Sequence, residues 1–115
     1  MLNINGEDWR IIITSSNHPA LMRPTGEYTL GCCDTNTNTI YITEGLTDKY
    51  FQKVLCHELV HASMASYNVI LNEFQEEVLA DLMSTYGQEI IHITNSLFSR
   101  LSQCKKNKGK SCILT

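Results

Sequence analysis

The sequence contains no apolar run near the ~20 residues that a membrane-spanning helix needs. It also has no basic-then-apolar leader, since Met1 to Asp8 is polar and acidic. Neither a membrane span nor a secretory signal is expected, and the chain reads as a soluble cytoplasmic protein. An excess of positive charge is missing too. Nine lysines and arginines against twelve acids leave a net charge of −3, so neither nucleic acid nor an anionic membrane is the expected partner. The five cysteines, Cys32, Cys33, Cys56, Cys104 and Cys112, are odd in number and follow no framework spacing. Reduced thiols are expected. Cys32 and Cys33 are adjacent rather than spaced as Cys-x-x-Cys, which favours a structural role over a zinc knuckle or redox pair. No internal repeat is present.

The 115 residues suffice for one modest core. Residues 1–103 are expected to form a single domain, and residues 104–115 a lysine-rich, disordered tail. The N-terminal part reads as strands and turns. Trp9 to Thr14 is isoleucine-rich, as a buried strand would be, and Tyr28 to Cys33 is a second candidate. The turn signals are Asn17-His18-Pro19, Arg23-Pro24-Thr25-Gly26 and the polar stretch Asp34 to Asn38. Thr39 to Thr43 alternates apolar and polar residues, so it pairs with the preceding strand as a hairpin.

From Leu46 the period changes. Thr47 to Tyr86 holds neither glycine nor proline, and Thr47 or Asp48 suits a helix N-cap. Phe51, Val54, Leu55, Leu59 and Ala62 form one apolar stripe. A break is expected near Tyr67 to Asn72. Glu73 to about Thr85 forms a second helix, with Phe74, Val78, Leu79, Leu82 and Met83 as its apolar face. Ile90 to Leu101 forms a third helix or a continuation. The fold class is therefore α+β, a small antiparallel or mixed sheet of about three strands on two to three helices.

The first helix carries His57-Glu58-Leu59-Val60-His61, an H-E-x-x-H pattern. Residues four apart in a helix lie about 6 Å apart along the axis on one face. Two imidazoles so placed can converge on a single Zn²⁺, each at about 2.0–2.1 Å. Glu58, one step round, can reach a water beside the ion without being a ligand, as a general base must. A catalytic zinc needs a third protein ligand. Glu73, Glu76, Glu77 and Asp81 on the second helix are the candidates, of which Glu77 and Asp81 share a face.

Glu77-Val78-Leu79-Ala80-Asp81 is similar to the E-x-x-x-D that follows H-E-x-x-H in thermolysin-like enzymes. That likeness implies Glu77 as third ligand and Asp81 as acceptor of a hydrogen bond from His57, fixing its tautomer. Glu76 stays open as the alternative ligand. The segment Val54 to Asp81 resembles the small peptidases of the gluzincin group, and within it the ImmA/IrrE-type domain of bacteria, phages and mobile elements. The resemblance implies a zincin-like fold, one Zn²⁺ and hydrolysis of a peptide bond in a protein or peptide, a transcriptional regulator included. It also makes Ile40, Tyr41 and Ile42 the edge strand to which an extended substrate adds. Two departures stand out: Val60 occupies a position that is often glycine in that family, and no helix-turn-helix module accompanies the domain.

An oxyanion donor is not selected by spacing, and Tyr41, Tyr67, Tyr86 and His92 are open candidates. His18 and His92 otherwise read as structural. Cys112-Ile113-Leu114-Thr115 behind lysines fits a prenylation signal, but a plain lysine-rich tail is the favoured reading. The alternatives to a peptidase are a catalytically silent zinc-binding regulatory protein of phage or mobile-element origin, and a hydrolase of a non-peptide bond. Glu58 favours an enzyme, because a structural zinc needs ligands and no base.

Overall fold

A computed structural model describes residues 1–106. The elements are β1 (Leu2–Ile4), β2 (Glu7–Thr14), a 3-10 turn (Pro19–Leu21), β3 (Gly31–Asp34), β4 (Thr39–Thr43), α1 (Asp48–Ser66) and α2 (Glu73–Lys105). The α+β class holds, with four strands rather than three. β1 is the addition. It pairs antiparallel with β2 through a two-residue connection, Asn5-Gly6, with both residues at positive φ (50° and 84°). Asn-Gly suits the primed turn whose twist matches a hairpin, a signal that the polarity of Met1 to Asp8 obscured.

The sheet order is β1-β2-β4-β3. β4 runs parallel to β2 and antiparallel to β3, with Ile40 opposite Ile11 on one side and Cys33 on the other. Both ladders of β4 are thus occupied, and Ile40, Tyr41 and Ile42 offer no unpaired backbone to a peptide. The expectation that they form the edge strand is corrected: the edge beside β4 is β3. The β3–β4 hairpin itself forms as the alternation and polar turn suggested.

Trp9, Ile40, Ile42 and Ala62 are the buried centre of the core, with Phe51, Val54, Leu55 and Leu59 of α1 packed on it. The apolar stripe of α1 therefore faces the sheet. On the other face Tyr41 stacks against His18, whose ring nitrogen accepts from the Ala20 amide and caps the 3-10 turn. The far end of α1 is pinned by Trp9, whose indole N–H donates to the Ser66 hydroxyl at 2.8 Å, and by Asn5, whose amide donates to the Ser66 carbonyl at 2.9 Å.

The break between the helices is built from the two asparagines that interrupt the apolar pattern. Asn68 adopts the left-handed conformation (φ 55°) just past α1, a helix-ending position that asparagine tolerates. Asn72 caps α2: its side chain accepts from the Gln75 amide at 2.8 Å, and Gln75 returns a contact to the Asn72 amide at 3.2 Å. This reciprocal pair is a capping box. At the front of α1, Thr47 accepts from the Tyr50 amide.

The chain divides into two compact units, Met1–Thr85 and the part from Tyr86 onward. In the first, Phe74, Val78, Leu82 and Met83 are exposed, Leu79 is half-buried and Ala80 is buried, so most of the expected apolar face of the second helix is not packed. In the second, the helix runs on through Gly87 to Lys105, and Ile90, Ile91, Ile93, Phe98 and Leu101 are exposed. One glycine costs a helix only about 1 kcal/mol, too little to stop it here. No described helix is long and apolar enough to cross a membrane. Cys32, Cys33 and Cys56 are free, as expected of reduced thiols, and Cys112 lies outside the described residues. The Cys112-Ile113-Leu114-Thr115 signal lies outside the described residues.

Replacing Ser66 by alanine strands the buried indole N–H. A loss of about 1–3 kcal/mol in unfolding free energy is expected, measured by urea denaturation. A change near zero would show that Trp9 finds another acceptor.

Candidate metal centre

His57 and His61 project from one face of α1 toward the first turns of α2. Among the described residues, one group of three side chains places potential ligand atoms within 4.8 Å of one another: His57, His61 and Glu77. The two imidazoles approach through Nε2, at 3.3 Å. The Glu77 carboxylate lies across them, one oxygen 3.2 Å from His57 Nε2 and the other 2.9 Å from His61 Nε2. Glu77 is half exposed, so the group opens to solvent on that side.

The outer ring nitrogens are held separately. His57 Nδ1 lies 3.1 Å from an Asp81 oxygen, and His61 Nδ1 lies 2.8 Å from a Glu76 oxygen. Glu76 and Glu77, neighbours in sequence, thus occupy different places. Glu77 joins the convergent group, while Glu76 does for His61 what Asp81 does for His57. A carboxylate beside each Nδ1 favours the tautomer that leaves Nε2 available to a metal ion.

Two Nε2 atoms and a carboxylate converge at the centre, each able to offer a lone pair to one cation. Spacing fits zinc: tetrahedral ligands at about 2.0–2.1 Å from Zn²⁺ stand roughly 3.3 Å apart. Two imidazoles and one carboxylate are also the donor set of zinc hydrolases that retain an open position.

Glu58 stands beside this group rather than in it, and only 7% of its surface is exposed. Burial is the main influence and pushes its carboxyl above the ordinary range; His57 and His61 oppose the rise and Glu77 adds to it. A raised carboxyl is a better match for proton transfer near neutral pH. Its burial depends on Gly31 at the start of β3. A methyl group there would lie 2.8 Å from Val54 Cγ1 and 3.0 Å from Glu58 Cγ. The missing side chain lets the strand close over the glutamate.

The far wall of the cleft comes from β3 and the turn before it. Arg23, Thr29 and Gly31 line both cavities that flank Glu58, and Cys33 lines one of them. Burial is the first cause pushing the Cys33 thiol up to about 12, with Glu58 assisting, and Cys32 is raised in the same way. Both are protonated thiols at neutral pH and not nucleophiles. Of the residues considered as oxyanion donors, Tyr41 stacks on His18, Tyr67 is the cap residue ending α1, and neither lines these cavities. Tyr86 and His92 belong to the second unit. Arg23 and Gly31 were not singled out from sequence as site residues. The turn Arg23-Pro24-Thr25-Gly26 is legible as a turn, but nothing local says which surface it faces.

In comparisons with protein-family models, with curated proteins and with solved structures, the chain matches none.

Proposed function

We propose that this protein is a zinc-dependent endopeptidase acting on an extended segment of a protein or peptide, with His57, His61 and Glu77 as ligands and Glu58 as general base. The observation that carries the reading is the convergence of three potential ligand atoms at zinc spacing with a buried carboxyl beside them that is not one of the three. A purely structural site has no use for that fourth group.

The chemistry divides simply. A zinc ion held by the three ligands supplies a Lewis acid for the scissile carbonyl and lowers the pKa of water toward neutrality. Water adds through its oxygen to the carbonyl carbon, its proton passes to the Glu58 carboxylate, and the carbonyl π pair moves onto oxygen. As the C–N bond breaks, that pair re-forms the carbonyl and Glu58 gives the proton to the leaving nitrogen. Asp81 and Glu76 keep both imidazoles aimed throughout.

β3 is the strand that offers itself to a substrate. The Thr43 amide donates to the Leu30 carbonyl at 2.9 Å, which by antiparallel alternation places Cys32 in the ladder and turns the backbone groups of Gly31 and Cys33 outward. A peptide adding there would lie along the cleft beside Glu58. The resemblance to ImmA/IrrE-type domains makes a transcriptional regulator a candidate substrate. Free thiols at Cys32, Cys33 and Cys56 support a cytoplasmic setting.

Glu58→Gln is expected to retain one zinc per chain, read by elemental analysis, while hydrolysis of denatured casein falls by about 10²–10⁴. His61→Ala should lose the metal. Equal rates for wild type and Glu58→Gln would dismiss the mechanism. Asp81→Ala frees His57 Nδ1 and should weaken zinc binding by about 10–100-fold in competition with a chromophoric chelator; unchanged affinity would show that Asp81 does not orient the ligand.

A further inference from the structure

We propose that Arg23 is a catalytic residue of the peptidase reaction, its guanidinium stabilising the oxyanion that forms on the scissile carbonyl. The inference rests on the peptidase reading above and names a group which that reading leaves unassigned.

Adding water to a carbonyl places a full negative charge on oxygen, and a donor fixed beside it lowers the barrier. The cavities on either side of Glu58 share one wall of helix residues, His57, Glu58 and Glu77, and one opposing wall, Arg23, Thr29 and Gly31. The shared residues mark the middle of the cleft, where the reacting carbonyl must sit to meet Glu58. On the opposing wall, Gly31 has no side chain and the Thr29 hydroxyl already donates to the Gly31 carbonyl at 3.1 Å. Arg23 is left. Among the described residues it is the only lysine or arginine lining either cavity, and no carboxylate forms an ion pair with it.

The backbone under Arg23 is fixed. Its N–H donates to the Glu27 carbonyl and its carbonyl accepts from Gly26, both at 2.8 Å. Pro24 follows at the second position of the turn, Gly26 takes φ +88°, and Met22 bridges to Tyr28 at the base. This is a type I turn closed by a left-handed glycine bulge, a preferred short hairpin connection. The loop therefore presents the arginine at the cleft wall from a set backbone position. A long, permanently charged fork suits that task. Tyr28 is the rival donor, but it lines only one of the two cavities.

The test uses zinc-loaded full-length protein, wild type against Arg23→Ala, Arg23→Lys and Tyr28→Phe. With denatured casein as substrate, Arg23→Ala should lower kcat by about 10²–10³ with KM and zinc content unchanged, Arg23→Lys should recover part of the loss, and Tyr28→Phe should retain the wild-type rate. Independently of turnover, calorimetry with a peptide phosphonamidate, a tetrahedral anion, should show binding weakened about as much by Arg23→Ala. Binding of the matching uncleaved amide peptide to the Glu58→Gln background should not change. Wild-type cleavage with Arg23→Ala equally active, or a loss confined to KM or to Tyr28→Phe, overturns the role of Arg23 and leaves the peptidase standing. Zinc-loaded wild type that neither cleaves casein nor binds the phosphonamidate overturns both.

Discussion

An imidazole has two nitrogens, and this structure commits one of each pair before the other is used. Asp81 lies at the outer nitrogen of His57 and Glu76 at that of His61, an arrangement that favours inner nitrogens free to bind a cation. Everything at the centre follows from that polarity. Two imidazoles and a carboxylate so close together become favourable around a cation. The same contacts hold the front of α2. Its large apolar side chains, Phe74, Val78 and Leu82, are turned outward, and carboxylates meet the imidazoles where leucines would have met the core. The first turns of α2 are thus placed chiefly by polar chemistry, and a bound ion would fasten them further through ordinary binding linkage.

Such placement demands that α2 arrive in the right rotational phase. The six residues between the helices set it. Asn68 ends α1 by adopting a left-handed conformation, and Asn72 starts α2 by exchanging hydrogen bonds with Gln75. Glu76 and Glu77 then sit about 100° apart on the helix. That angle lets one carboxylate reach an outer nitrogen while its neighbour reaches between the inner ones. A single insertion in the connection would exchange their roles or remove both.

Much of this was legible in the sequence, and the reasons for the remainder are physical. The H-E-x-x-H helix could be read because its two histidines are local, four residues apart on one face. Asp81 could be paired with Glu77 by the same spacing. The division of labour between Glu76 and Glu77 could not, because it depends on the phase of one helix against another. β4 was readable as a strand from its alternation but not as an interior one. Sheet order is set by long-range pairing, and the parallel partner β2 lies some thirty residues earlier. The expected apolar face of the second helix failed because periodicity reports which side chains could pack, and at this helix the carboxylates decided the orientation. Gly31 left no trace at all. Its role is the absence of atoms next to Val54 and Glu58, visible only once strand and helix are together.

Gly31 and Cys33 also lie on the strand whose outer rim faces the cleft. A polypeptide laid against that rim would engage through main-chain groups common to every residue, and the pleat would admit it only in two-residue offsets. Discrimination would then fall on the conformation of the visitor more than on its letters. Chain already extended, as in a hinge, a tail or a locally melted segment, could enter; a helix or a closed sheet would have to come undone beforehand. Vulnerability of a target would be a property of its own local stability, so the partner's fold would supply a selectivity that the cleft itself does not encode.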